Sequence, residues 1–159
     1  MTGDSFLLSS QTGTDFSYAG DLKIVNGSAA GLTFRADASG KGYTANIDSA
    51  GMVKLWRPGQ DLGIAWTTIQ QNQTYRLRVV VSGSNLRVFL NGDSTPVITA
   101  NDSTYAAGRF GVNVYNGTGV VQNVQVSTAA IPGSGPRPGW GTDRRFGIDR
   151  LAGYGPALT

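Results

Sequence analysis

Three short segments of this sequence, 46–48, 54–56 and 113–115, place polar or aromatic side chains at every second position. Residues two apart in a β-strand point to the same face. An aromatic ring can cover the apolar C–H face of a sugar, and Arg, Asp and Asn can form paired hydrogen bonds with adjacent hydroxyls. The pattern fits a sugar-binding surface or an ordinary solvated sheet face whose charges pair across strands. The residues concerned are Arg35, Asn46, Asp48, Lys54, Trp56, Asn113 and Tyr115.

Candidates for catalysis are few. The sequence contains no His and no Cys, and all of its 10 acidic residues are Asp. This removes the usual general base, the Ser-His-Asp triad and thiolate chemistry. A glycosidase would need two facing carboxyl groups, which leaves Asp48 with Asp37 or Asp61 as the enzymatic alternative. Isolated Asp residues in Gly-rich turns more often shape those turns, so we predict that the chain is not an enzyme.

The elements that position these residues are strands. The 159 residues include 23 Gly and are rich in Thr, Val, Ser and Asn, with turn residues at short intervals and no helical periodicity. This composition predicts an all-β fold, a two-sheet antiparallel β-sandwich. The predicted strands span 5–9, 16–24, 29–36, 42–48, 52–57, 62–69, 74–82, 85–91, 95–99, 108–115 and 119–126.

Turn residues and alternation predict how the strands pair and which side they bury. Ala50-Gly51, Ser82-Gly83-Ser84, Asn91-Gly92 and Asn116-Gly117 contain residues that tolerate positive φ, so each is expected to close a hairpin. Strands 42–57, 74–91 and 108–126 would then form antiparallel pairs. The apolar parity, with Leu32, Phe34, Leu77 and Val112 among its members, is the predicted core.

The sequence predicts one main domain. Residues 1–128 carry the strand pattern, 129–139 form a Pro/Gly linker, and 140–159 form a tail with enough apolar residues to dock as a strand completing the sandwich or to bind a partner.

Charge and composition exclude several partners. The net charge is +3, but the residues before 128 contribute only +1 of it, so no basic stripe indicates nucleic-acid binding. No apolar run approaches the roughly 20 residues that span a bilayer, so we predict no membrane insertion. We expect no required cofactor and no metal among the site residues; a structural calcium ion held by loop oxygens is a further hypothesis.

Several motifs resemble the family 66 carbohydrate-binding modules that accompany levanases and other fructan-degrading hydrolases. They are Gly-Leu-Thr-Phe-Arg at 31–35, Tyr-Thr-Ala-Asn-Ile-Asp at 43–48, Val-Lys-Leu-Trp-Arg at 53–57 and Gly-Arg-Phe-Gly-Val-Asn-Val-Tyr-Asn-Gly at 108–117. The likeness covers about residues 3–126. Modules of this family usually begin with a further strand ahead of the segment matching 3–6. The tail would supply that strand if the chain is a circular permutant. A fragment that carries a remnant of a neighbouring segment, or a natural full-length product, are the alternatives.

The resemblance implies a jelly-roll, concanavalin-like sandwich without catalysis of its own. It would recognise the chain ends of levan or a similar fructan and keep an attached glycoside hydrolase at its polymer, as part of a secreted or cell-surface protein. An adhesin-like interaction module whose tail docks on a partner is the alternative. The residues that match the motifs and suit a furanose ring are Arg35, Asp48, Lys54, Trp56, Asn113 and Tyr115.

Overall fold

Two antiparallel sheets form the fold in the computed structural model, which describes residues 4–127 and 144–145. The first sheet contains, in spatial order, β1 (Asp4–Gly13), β10 (Gly108–Tyr115), β3 (Ala29–Ala36), β4 (Tyr43–Asp48), β5 (Met52–Arg57) and β6 (Gln60–Trp66). The second contains β12 (Arg144–Arg145), β11 (Thr118–Ser127), β2 (Phe16–Asn26), β7 (Thr74–Ser82), β8 (Asn85–Leu90) and β9 (Ile98–Asn101). The predicted all-β, jelly-roll sandwich is confirmed. Residues 4–127 and 144–145 include no helix long and apolar enough to cross a membrane.

The strands match the alternation in the sequence closely. Most predicted strands are present within two residues of their expected ends, whereas β1 extends to Gly13 and β9 begins only at Ile98. One predicted hairpin is wrong: β10 and β11 do not pair with each other, because the chain crosses from the first sheet to the second at Asn116-Gly117. The turn between β2 and β3 crosses beside it, and Ser28 N donates to Tyr115 O over 3.2 Å.

The core lies between the sheets and consists of the predicted apolar parity. Phe34, Leu77 and Val112 are fully buried. Tyr18 of β2 packs edge-on against Phe110 of β10, with ring centroids 5.1 Å apart, and its hydroxyl donates to Gly111 O across the interface between the sheets. Burial raises the pKa of Tyr18, so this phenol stays protonated and keeps its bond.

The described part of the tail is β12, which pairs with β11 at the edge of the second sheet. The permutation hypothesis expects the tail to pair near residues 4–10, which belong to β1 in the first sheet, and β12 lies in the second sheet. For the tail as a whole the hypothesis stays a prediction. The predicted linker at 129–139 and the rest of the predicted tail at 140–159 lie outside the described residues.

Candidate functional site: a groove on the first sheet

A groove of about 450 Å³ lies on the outer face of the first sheet. That volume is within the roughly 300–1,000 Å³ of typical small-molecule sites. Five of the six predicted ligand-binding residues line it, together with Asn46. The lining residues are Ala29, Asn46, Asp48, Lys54, Trp56, Arg57, Gly59, Gln60, Asp61, Asn113 and Tyr115.

Strand register explains why these residues meet. Asn113 of β10 pairs with Gly31 of β3, Gly31 pairs with Asn46 of β4, and Asn46 pairs with Lys54 of β5. Cross-strand partners point to the same face, so the four positions form one row. A Cβ atom on Gly31 would lie 2.5 Å from Asn46 Cβ. Glycine in the middle of the row therefore leaves room for the Asn46 side chain.

Asn46 holds Trp56 in place at the groove wall. Trp56 Nε1 donates to Asn46 Oδ1 over 2.7 Å, and Asn46 Nδ2 donates to Ile47 O over 3.2 Å. Both side-chain polar atoms of Asn46 are thus engaged, and the residue is only 3% exposed. The arrangement fixes the indole, which remains partly exposed to the groove.

Lys54 and Asp61 face each other at the rim. Lys54 Nζ lies 3.2 Å from Asp61 Oδ1, and both side chains are substantially solvent-exposed. Such a pair contributes little to stability in water, typically less than about 1 kcal/mol. It does cancel charge at the groove, which suits a neutral ligand rich in hydroxyl groups.

Asp48 and Tyr115 lie at the end of the groove nearest the hairpin turns. Asp48 Oδ1 accepts from Ala50 N over 2.8 Å, which closes the β4–β5 turn. Among residues 4–127, the structure gives Asp48 Oδ2 no such bond, so it can accept from a ligand hydroxyl. Tyr115 is 38% exposed and offers a ring face and a phenol group beside it.

Arg57 was not among the predicted site residues. Its Nε donates to Asp102 Oδ2 over 3.0 Å, and Asp102 Oδ1 accepts from the Tyr43 hydroxyl over 2.6 Å. Burial disfavours the Asp102 carboxylate, but hydrogen bonds from Tyr43, Thr104 and Arg57 outweigh this and hold the pKa of Asp102 well below its usual range. This network anchors the end of β5 beside the groove.

A β-bulge brings Asp61, which the sequence already placed near the outward face, into this wall. Leu55 pairs with Gly63 but Trp56 pairs with Asp61, so Leu62 is the extra residue. It packs against the core, and Asp61 consequently faces the same side as Trp56. The neighbouring Gln60 also lines the groove. Its one sequence signal is its place directly after the Pro58-Gly59 turn.

The predicted outward orientation of Arg35 is wrong. Arg35 adopts φ 51° and is 2% exposed, where alternation required a side chain facing solvent. The pairing between β10 and β3 shifts register beside it, and the guanidinium turns inward. It donates to Thr14 O and to Tyr105 O, the latter over 3.1 Å, and lies 3.4 Å from Asp15 Oδ1. Arg35 therefore connects the β1–β2 turn, which contains Thr14, to the β9–β10 loop, which contains Tyr105. It does not line the groove.

Comparisons with known proteins identify the family. No family model matches the chain. A solved carbohydrate-binding module, CBM66 from Bacillus subtilis, is 37% identical, with a TM-score of 0.74, and the match covers 79% of this chain and 83% of that one. The chain is a family 66 carbohydrate-binding module. Such modules are non-catalytic, so the predictions of a carbohydrate-binding domain and of no enzyme activity are confirmed. Neither the Asp-based glycosidase nor the adhesin-like alternative gains support.

The matching relatives are larger enzymes, and this chain corresponds to a small part of each. It is 40% identical over 131 residues to a levanase of Bacillus subtilis (strain 168), a match covering 77% of this chain and 19% of that protein. A levanase of Bacillus sp. (strain L7) is 28% identical over 127 residues, covering 76% of this chain and 14% of the enzyme. The module thus spans less than a fifth of each relative. A Bacillus subtilis protein with a galectin-like fold, 13% identical with a TM-score of 0.61, shares the fold; its match covers 79% of this chain and 77% of that one.

Proposed function

We propose that the module binds fructan, with levan as the first candidate, and holds an attached glycoside hydrolase at the polymer. The observation that carries the proposal is the groove in which Asp48, Lys54, Trp56, Asn113 and Tyr115 converge. The levanase relatives support fructan as the sugar. A secreted or cell-surface location follows from the proposal, because levan is a polymer that a cell meets outside its membrane.

The residues divide the work of recognition by chemistry. The Trp56 indole would lie against the apolar face of a fructose ring, while Asp48 accepts hydrogen bonds from its hydroxyls. Lys54 would donate from the rim, and Tyr115 would cover the opposite side. The sheet closes the floor of the groove, so a polymer chain cannot pass through it. A terminal fructose fits because its ring can enter from the open side.

Affinity for a single sugar should be modest. Hydroxyl groups exchange bonds with water for bonds with protein, so the net gain per bond is about 0.5–1.5 kcal/mol. We expect dissociation constants on the order of micromolar to millimolar. Simultaneous binding at several chain ends of one polymer would strengthen attachment by avidity.

Isothermal titration calorimetry with levan, inulin, cellulose and xylan tests the proposal. We expect heat with levan, competition by free fructose, and a loss of about tenfold or more in Trp56→Ala, because that variant removes the ring that covers the sugar. Lys54→Ala should weaken binding, whereas Lys23→Ala, the same change on the outer face of the second sheet, should not. Preference for cellulose or xylan would overturn the fructan assignment. Equal losses of affinity in the two lysine variants would overturn the assignment of the groove as the binding site.

We propose that this binding needs no cofactor. Among residues 4–127 and 144–145, no three acidic side chains come together as a metal site. The calcium hypothesis stays a prediction, and an unchanged levan affinity after EDTA treatment would count against it.

A further inference from the structure

An apolar patch lies next to the groove at the edge of the first sheet. Trp66 is 72% exposed and Ile64 is 43% exposed, both on the edge strand β6. Met52 of β5 is paired with Trp66. We call these three residues the edge patch. A lone exposed apolar residue needs no explanation. A largely solvent-exposed indole beside two further apolar side chains indicates an interaction surface.

Register places the edge patch on the same face as the groove. Met52 pairs with Asp48 on one side and Trp66 on the other, and Ile64 pairs with Lys54. Partners across a ladder share a face, and neighbouring strands lie about 4.8 Å apart. Trp66 is therefore two strands, or about 10 Å, from Asp48. The patch continues the row that contains Asp48 and Tyr115 out to the sheet edge.

The backbone beneath the edge patch is fixed. Thr67 N donates to Gly51 O over 3.0 Å, which holds the end of β6 against the β4–β5 turn. The pairing of Met52 with Trp66 is part of a regular ladder. The indole is thus presented from a rigid strand, which limits the conformational entropy lost when a ligand covers it.

The chemistry of the edge patch selects an uncharged occupant. Its three side chains carry no charge. Of the charged groove residues next to it, Lys54 beside Ile64 pairs with Asp61, and Asp48 is the cross-strand neighbour of Met52. An exposed ring with no charged neighbour of its own suits the C–H face of a neutral sugar. Because the patch continues the groove, the occupant would be a more distant part of the same polysaccharide.

We infer that Trp66 forms a second sugar subsite, which contacts a fructan chain beyond the residue held in the groove. The inference rests on the proposed function, since it needs a fructan in the groove. It gives the module a dependence on chain length: free fructose would use the groove alone, while longer oligosaccharides would also cover Trp66.

Calorimetry with free fructose and with levan oligosaccharides of increasing length tests the second subsite. In the wild-type module we expect affinity to rise with length until Trp66 is covered. Trp66→Ala should lose about three- to tenfold for the longer oligosaccharides and nothing for fructose, and Trp66→Phe should recover most of the loss because it restores a ring. Because Trp66 is exposed, the thermal unfolding midpoint should not change.

The outcomes separate the subsite from the groove. Trp56→Ala should weaken fructose and oligosaccharides alike, since both use the groove. An unchanged oligosaccharide affinity in Trp66→Ala, or an equal loss for fructose, would overturn the subsite while leaving the proposed function intact. A wild-type module that binds no fructan at all would overturn the proposed function itself.

Discussion

The outer face of the first sheet has two ends that share residue types but not accessibility. At the groove end, defined by Asp48, Lys54 and Tyr115, polar and aromatic groups surround an open space. At the closed end, Thr33 and Thr44 are buried and hydrogen-bonded to each other through their hydroxyl oxygens over 2.9 Å. Alternation puts polar residues outward at both ends, yet only one end meets solvent.

The turn after β3 packs against β1 next to the closed end. The turn after β3 folds back so that a Cβ atom on Gly40 would lie 3.0 Å from the Phe6 ring. Gly40 has φ 93°, a conformation that glycine adopts without strain. Asp37 shapes the turn by accepting from Ser39 and Lys41, and the hydrogen bond from Ser39 contributes most to lowering the pKa of Asp37. A polar residue at an outward position of a strand is therefore available to a ligand only where no neighbouring group covers it.

The largest effect we expect comes from removing the buried cation beside the closed end. Arg35→Met would leave Thr14 O and Tyr105 O without their donor, and we expect a loss of about 3 kcal/mol in the free energy of unfolding. Urea denaturation measures it. The fructan affinity of the folded protein should not change, because the guanidinium does not line the groove.

Arg87→Met is the matched control for this change. Arg87 lies on the second sheet, and within the described residues its Nε is buried without a hydrogen-bond partner. Replacing it should cost less than about 1 kcal/mol, since no bond is lost. Equal losses in the two variants would contradict the view that the bonds of Arg35, rather than its bulk, stabilise the closed end.

A smaller effect should follow from the network that anchors β5 next to the groove. The pKa of Asp102 is lower in the folded protein than its unfolded value of about 3.9, so its carboxylate stabilises the fold above about pH 4 and this contribution fades as the pH falls. At pH 7, Asp102→Asn should lose about 1.5–3 kcal/mol of unfolding free energy. Thermal melts from pH 7 to pH 2 should show the gap to wild type shrinking in acid.

Asp93→Asn provides the comparison for the acid series. Asp93 is exposed, and its carboxylate is in no hydrogen bond or ion pair to the described residues. Its variant should follow the wild-type curve at every pH. A gap between Asp102→Asn and wild type that stays constant down to pH 2 would show that the carboxylate charge is not what stabilises this network.

Alternation and turn chemistry were enough to predict the strands and most of the groove. Asp48, Lys54, Trp56, Asn113 and Tyr115 converge because the register of a regular ladder follows from apolar parity. The same logic assumes that inward and outward positions alternate without interruption along each strand. This assumption does not hold at Arg35 or beside Asp61.

The failures share a physical cause. Arg35 turns inward at a residue with positive φ beside a register shift, and Asp61 faces the groove because Leu62 is an extra residue in its ladder. A bulge at a non-glycine residue has no distinctive composition, so alternation cannot locate it. The Asn116-Gly117 turn misled for another reason: its residues specify a tight turn, but not whether the next strand joins the same sheet or the opposite one.

The smallest effect should come from Asn46, which we place as a positioning residue for Trp56. Asn46→Ala removes the acceptor of the indole N–H, and we expect fructan affinity to fall about three- to fivefold because the ring is then free to turn. Asn85→Ala, the same change on the outer face of the second sheet, should leave the affinity unchanged. Calorimetry with levan oligosaccharides gives both values.

A double-mutant cycle determines whether Asn46 acts through the indole. In a Trp56→Phe background the ring has no N–H to donate, so Asn46→Ala should have little further effect on affinity, and the coupling between the two positions should account for most of the single-variant loss. If Asn46→Ala cost the same affinity with Phe at position 56, the amide would be contacting the sugar itself. At the groove end, Asn46 would then take part in sugar binding directly, and its hydrogen bond to Trp56 would contribute only to packing.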